Sequence, residues 1–293
     1  MFYRYKYIII AILLILLGVL LYFYFLPTKV IPQQEAKQEP VANPKIDSIG
    51  NSVEGRKIES YTYGTGKYHV VFVGGIHGGY EWNSVLLAYQ AMDYLDKDLS
   101  RVPKNVTITI IPSMNPDGVY KVTGKEGRFD SSDVSTDANI LADARFNANK
   151  VDLNRNFDCK WQPESKWRNQ TVSAGKTAFS EPESIALKNF AEKIKPDALV
   201  FWHSQANGVF GASCGNGVLP QASTLMNLYS KASGYPSSDT FDSYEVTGDA
   251  ADWLSKIGIS AFEVELKTHE AVEFDKNILG INALLKYFGS KTN

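Results

Sequence analysis

His77 and Glu81 stand on either side of Gly78, Gly79 and Tyr80. A neutral imidazole and a carboxylate delivered by one short turn suit a divalent zinc ion. The turn follows Val70, Val71, Phe72 and Val73, a β-branched apolar run with the signature of a strand buried on both faces. Gly74 and Gly75 end the run and free the backbone to turn. Open α/β sheets collect their ligands at this end of their strands. Read alone, the pair is equally a loop histidine and a helix-start glutamate, because short motifs recur by chance.

A second histidine repeats the arrangement. The apolar stretch Asp197 to Trp202 ends in His203-Ser204. Two imidazoles and one acid form a three-ligand set with an open fourth position, as catalytic zinc requires. Taken singly, His203 also reads as a satisfied, half-buried histidine. The alternating strand Ser260 to Leu266 carries Glu263 and Glu265. An acid at a strand end beside a metal is a candidate general base, which points to Glu265; Glu263 reads as an exposed strand acid. Arg145 precedes Val151-Asp152-Leu153-Asn154-Arg155-Asn156-Phe157. An arginine presents a rigid fork that matches a carboxylate two bonds at a time, and Asn154 adds an amide donor. A lone arginine also serves surface ion pairs. His69 and His269 have no partners at ligand spacing and read as ordinary residues.

Strands and helices must hold these groups. Glu81 to Leu95 places apolar residues at helical spacing, and Val106 to Ile111 is another β-branched strand. That strand ends in Asn115-Pro116-Asp117-Gly118, a turn signal. Gly124 to Lys150 is polar and weakly periodic, which predicts an extended surface loop of the kind that carries function. Ser180 caps a helix that runs to Ile194, and helices are also predicted over 221–232 and 271–288. Tyr244 precedes Thr247 to Trp253, a loop turning into a helix. Strands alternating with helices define an α/β class.

The 293 residues suffice for one large domain with a substantial core, and the net charge of −2 gives no sign of nucleic-acid binding. Residues 1–51 stand apart from that domain. Arg4 and Lys6 precede an apolar run from Ile8 to Leu26, which as a helix spans about 29 Å, close to the hydrocarbon core of a bilayer. The run ends in aromatic residues and Pro27 rather than a small-residue cleavage site. It therefore reads as an uncleaved signal anchor over 1–27, with a transmembrane helix at 8–26; a cleaved signal peptide is the alternative. The basic residues before the run predict a single-pass protein with its folded part on the extracytoplasmic side. Residues 28–51 hold few large apolar side chains and predict a flexible linker to a catalytic domain over 52–293. The two cysteines, Cys159 and Cys214, form one disulfide outside the cytoplasm or remain two buried thiols.

Assembled in order, these motifs resemble the zinc carboxypeptidase family of metallopeptidases from about Ser52 to the C-terminus. His77 and Glu81 come first, then the Asn-Pro-Asp-Gly turn at 115–118, then Arg145 ahead of Asp-Leu-Asn-Arg-Asn-Phe at 152–157. His203-Ser204 follows, then the loop from Tyr244 to Asp252-Trp253, and last Glu265-Leu266. The family usually places two residues between its first histidine and glutamate, where this chain has three. Neighbouring glycines can absorb the extra residue as a bulge; Asp117 or another acid is the alternative ligand. The resemblance implies zinc held by His77, Glu81 and His203, with Glu265 as general base and Arg145 as oxyanion partner. It implies that Asn154, Arg155 and Tyr244 grip the terminal carboxylate of a peptide. It also implies one α/β domain, with a mixed, mostly parallel sheet of about eight strands and helices on both faces. Ala251 leaves room in the implied side-chain pocket. Asp249 either adds a negative charge there, favouring Lys, Arg or the diamino acid of cell-wall peptides, or caps the following helix. A zinc-dependent amidase or deacylase of N-acyl amino acids and a non-catalytic surface binding module are the rival readings.

Overall fold

The computed structural model describes residues 44–291. The signal anchor and its 8–26 helix lie outside the described residues, as do 28–43 of the linker. Among the described residues no helix is long and apolar enough to cross a membrane.

One eight-stranded sheet runs in the order β1-β2-β4-β3-β7-β10-β8-β9. Its centre is parallel: β4 (Val106–Ile111), β3 (Tyr68–Val73), β7 (Ala198–Ser204) and β10 (Ala261–Leu266). β2 (Lys57–Tyr63) joins β4 antiparallel, and β8 (Gly208–Gly211) joins β10 antiparallel. β9 (Ser237–Ser238) closes that edge. β4 and β7 are buried at every position, as strands covered on both faces must be.

The opposite edge corrects the linker boundary. Lys45–Asn51 is a strand, β1, paired antiparallel with β2. It is largely exposed, and it belongs to the sheet because its backbone bonds to β2 rather than because it buries apolar side chains. A burial pattern cannot reveal an edge strand of that kind. The folded domain therefore starts before Ser52.

Helices cover both faces. On one, α1 (Trp82–Lys97), α5 (Pro220–Ser233) and α7 (Phe274–Gly289) enclose a core with Phe72, Trp202, Leu225 and Phe288. On the other, α4 (Pro182–Ile194) and α6 (Ala250–Lys256) pack over Val71, Phe201, Leu187 and Trp253. The 115–118 motif is more than a turn. Asn115 caps α2 (Pro116–Thr123) through a 2.9 Å bond from Gly118 N–H, and Pro116 opens the helix. The predicted extended loop contains a short helix as well, α3 (Ala138–Asp143), capped by Asp137. A separate hairpin, β5 (Glu164–Trp167) and β6 (Gln170–Ser173), flanks the sheet.

Cys159 and Cys214 form a disulfide that closes 55 residues of chain. It ties the segment after Phe157 to the turn after β8. Replacing both cysteines with serine is expected to cost about 4 kcal/mol of stability by loop-closure entropy. Urea unfolding of the variant beside the wild type measures that loss; equal midpoints would remove the bridge as a stabilising element.

Candidate active site

The C-terminal ends of β3, β7 and β10 bring the chemistry together. β3 ends at Val73 and the chain turns through Gly75 to His77. Gly78 to Glu81 forms a single 3-10 turn, and Glu81 is the cap of α1. This turn accommodates the three intervening residues. Only glycine fits it: at Gly78, whose φ is +48°, a Cβ would lie 2.6 Å from the Ala144 carbonyl oxygen and 2.8 Å from Asn115 Nδ2. His203 lies at the end of β7, in register with Glu265 on β10.

His77, Glu81 and His203 can each turn a ligand atom to within 4.8 Å of the other two, and all three are buried. Glu81 is thus placed as the third ligand. Asp117, the alternative acid, is committed elsewhere: it pairs with Arg56 at 2.8 Å and accepts from Ser52 Oγ at 2.6 Å.

The donor set fits a zinc ion. Arg145, always a donor, stands 3.1 Å from His77 Nε2, so that nitrogen carries the lone pair, which a bound zinc would take over from Arg145, and the proton sits on Nδ1. Asp152 Oδ1 lies 3.4 Å from Nδ1, not aligned as a hydrogen bond, on the side where a ligating histidine commonly has a carboxylate. Burial, then Arg145, pushes the His77 imidazole well below its usual range, which keeps it neutral as a ligand must be. His203 turns Nδ1 to Glu81 Oε2 at 3.2 Å and Nε2 to Glu263 Oε1 at 3.3 Å. Burial lowers its pKa, but Glu263 and Glu81 outweigh that and hold it well above the usual value. Around the two rings the carboxylates of Glu81, Asp152 and Glu263 outnumber the one fixed cation, Arg145, and a dication in their midst offsets that surplus.

Arg145 joins the cluster through Asp152 Oδ2 at 2.9 Å and Glu81 Oε1 at 3.5 Å, and its guanidinium stacks 4.7 Å over Trp167. Glu265 accepts from Ala206 N–H at 3.0 Å. Burial lifts its carboxyl to about 8, with Glu81 and Glu263 adding to the rise and His203 opposing it.

A cavity of about 200 Å³ opens beside this cluster, lined by His77, Arg155, His203, Tyr244, Ala251 and Glu265 among others. Arg155 is braced by Nη1 to the Asn154 carbonyl (2.6 Å) and Nε to the Lys166 carbonyl (3.1 Å). Neither bond uses its Nη2. Gly248 packs so closely on the Arg155 carbonyl that no side chain fits there, and this contact seats the Tyr244 loop. Tyr244 is half-buried; burial raises its pKa, while Arg155 and Arg145 draw it down. On the other side of Tyr244 and Glu265 a second cavity, about 360 Å³, is walled by Tyr80, Trp167 and His269.

Asn154 and Asp249 bond to each other, and of the two readings of Asp249 the helix cap is the one found. Asn154 is not a free donor: Nδ2 bonds Asp249 Oδ2 at 2.6 Å, and Oδ1 accepts from Ala250 N–H at 3.0 Å. Its remaining reach is toward Glu263 Oε1 at 3.4 Å. Asp249 is the cap of α6, accepting from Asp252 N–H at 3.0 Å, so both its oxygens are engaged. Other acids face the cavity with fewer ties, Asp252 and Glu263 among them. Glu263 could have been found by parity. Residues i and i+2 of a strand share a face, so Glu263 follows Glu265 into the cleft. His269, which is 2.8 Å from Ser204 Oγ and packs at a tilt against Tyr80 with ring centroids 4.4 Å apart, gave no such signal, because a loop has no period.

Comparison with known proteins agrees with this geometry. The model of the zinc carboxypeptidase family, Peptidase_M14, matches residues 35–281. A gamma-D-glutamyl-L-diamino acid endopeptidase of Lysinibacillus sphaericus is 25% identical over 67% of this chain and 54% of its own length. The catalytic chain of rat carboxypeptidase N is 34% identical over 39% of this chain and 26% of its own. The chain thus spans about half or less of these relatives. Among solved structures, murein-tripeptide amidase MpaA from Escherichia coli O157 superposes with a TM-score of 0.61 at 21% identity. That superposition covers 84% of this chain and 93% of that one. Carboxypeptidase A of Helicoverpa armigera gives 0.63 at 22% identity, over 85% and 68%.

Proposed function

Since the chain belongs to the zinc carboxypeptidase family and is a metallopeptidase, we propose that it removes the C-terminal residue of peptides, with a preference for basic or diamino side chains. The observation that carries this reading is the cavity of about 200 Å³, which has Arg155 at its wall and Glu265 at the ligand cluster. Zinc, when bound to His77, Glu81 and His203, supplies an acidified water and a polarised carbonyl. Arg155, through Nη2, and the Tyr244 hydroxyl receive the terminal carboxylate and so select for chain ends. Glu265 takes the proton of the attacking water and returns it to the leaving amine. Arg145 stands where negative charge grows on the carbonyl oxygen.

Asp252 and Glu263 give the cavity a negative wall, which supports a cationic side chain on the released residue. The similarity to the L. sphaericus gamma-D-glutamyl-L-diamino acid endopeptidase supports a diamino acid, as in peptides of the cell wall, in the substrate. An outward-facing, membrane-tethered enzyme would meet them, a placement supported by the apolar run at 8–26 and by the disulfide, since such bridges persist outside the cytoplasm. The test compares release of C-terminal Lys, a diamino acid and Phe from otherwise identical peptides. We expect Lys to exceed Phe in kcat/KM by at least about tenfold, the worth of one moderately screened charge pair. A preference for Phe would defeat the side-chain assignment, and absence of release from every peptide would defeat the activity.

A further inference from the structure

Glu263 lies two residues before the general base on the same face of β10, and the steps above give it no role at the metal. Its Oε1 is 3.3 Å from His203 Nε2, yet the contact is misaligned for a hydrogen bond, and Nε2 is buried without a partner. A buried N–H left unpaired is costly, so a native structure rarely leaves one. The opposite nitrogen of the same ring, Nδ1, faces Glu81 at 3.2 Å. If Nδ1 is the ligand atom, Nε2 carries the proton, and Glu263 is the anion placed to accept it after a small turn of its carboxylate. Asn154 Nδ2, 3.4 Å away, holds the same oxygen from the other side.

We propose that Glu263 is the positioning residue of the metal centre: it fixes the His203 ring as the tautomer that offers Nδ1. It would match Asp152, which stands 3.4 Å behind the other histidine. Both ligating rings would then have a carboxylate at their far nitrogen, the arrangement that orients a ligand and raises its basicity. Glu263 also lines the cavity for the released side chain. The metal and the side-chain pocket therefore share a residue in this chain. The inference rests on the zinc site of the proposed function but makes a separate demand, on affinity rather than turnover.

The test is zinc affinity by chelator competition on the full chain, with Glu263→Leu and Glu263→Gln. Loss of the outer-shell acceptor in the Leu variant should weaken zinc by about 10–100-fold. The Gln variant keeps an acceptor oxygen and should recover most of that loss. Asp252→Asn, which removes charge from the same cavity without touching either ring, should leave zinc affinity near the wild-type value. In the zinc-loaded wild type, nitrogen NMR should find the His203 proton on Nε2. This last measurement needs no variant to fold. A proton on Nδ1, or wild-type zinc affinity in the Leu variant, would overturn the inference. An inactive protein whose zinc affinity still depends on Glu263 would sink the proposed activity alone; an active one with Glu263-independent affinity would sink this inference alone.

Discussion

Glu265→Gln is expected to lower kcat for release of a C-terminal residue by about 10²–10⁴-fold, the contribution of a positioned general base. Zinc content should stay at the wild-type level, because Glu265 is outside the His77, Glu81 and His203 cluster. Gln keeps the shape of the side chain and can still accept from Ala206 N–H, so the fold should survive. The loss is then chemical: an amide cannot take the water's proton. The pH profile separates this from a generic defect. Burial raises the Glu265 carboxyl to about 8 with Glu81 and Glu263 beside it, and a bound dication would draw that value down. A base must be unprotonated to act. Wild-type kcat/KM should therefore climb as pH rises through the Glu265 pKa, and that limb should vanish from the residual activity of the variant. A variant within tenfold of wild type, or one that retains the limb, would remove Glu265 from the reaction.

Arg145→Ala should damage both activity and stability. The guanidinium is buried between Asp152 Oδ2 (2.9 Å), Glu81 Oε1 (3.5 Å) and His77 Nε2 (3.1 Å). Deleting it leaves two buried carboxylates without their cation, a loss of about 3–5 kcal/mol for a broken buried pair. The ledger shifts when zinc binds, because the ion supplies positive charge to Glu81. Added zinc should consequently raise the melting temperature of the variant by more than it raises that of the wild type. Turnover should still fall by about 10²–10³-fold, the measured scale for removing one oxyanion donor. Thermal melts with and without zinc, alongside kcat, check the pair of effects. A variant that turns over normally would show that Arg145 serves only to hold His77, Asp152 and Glu81 in place.

These expectations depend on groups that are far apart in the chain, and the chain marks most of them. His77, Glu81, His203 and Glu265 were legible because each sits where an apolar run or a glycine turn ends, whereas Arg145, inside a polar stretch, was legible only by its place in the order of family motifs. Such punctuation is local and survives without a structure. The central strands and flanking helices were legible for the same reason: burial on two faces or one leaves a pattern in residue type. β1 was not, since an edge strand held by backbone bonds need not choose its side chains.

What the amino-acid order determined by itself was the set of reactive groups and the type of sheet that carries them. Tertiary structure alone decided how each group spends its bonding capacity. Asn154 and Asp249 are polar residues in the right neighbourhood, and only the packing of α6 shows that they satisfy one another. Glu263 is a strand acid until β7 places His203 Nε2 3.3 Å from its carboxylate. Hydrogen bonds and ion pairs saturate within about 3–4 Å. A one-dimensional pattern fixes which groups exist and not which of them arrive within that range.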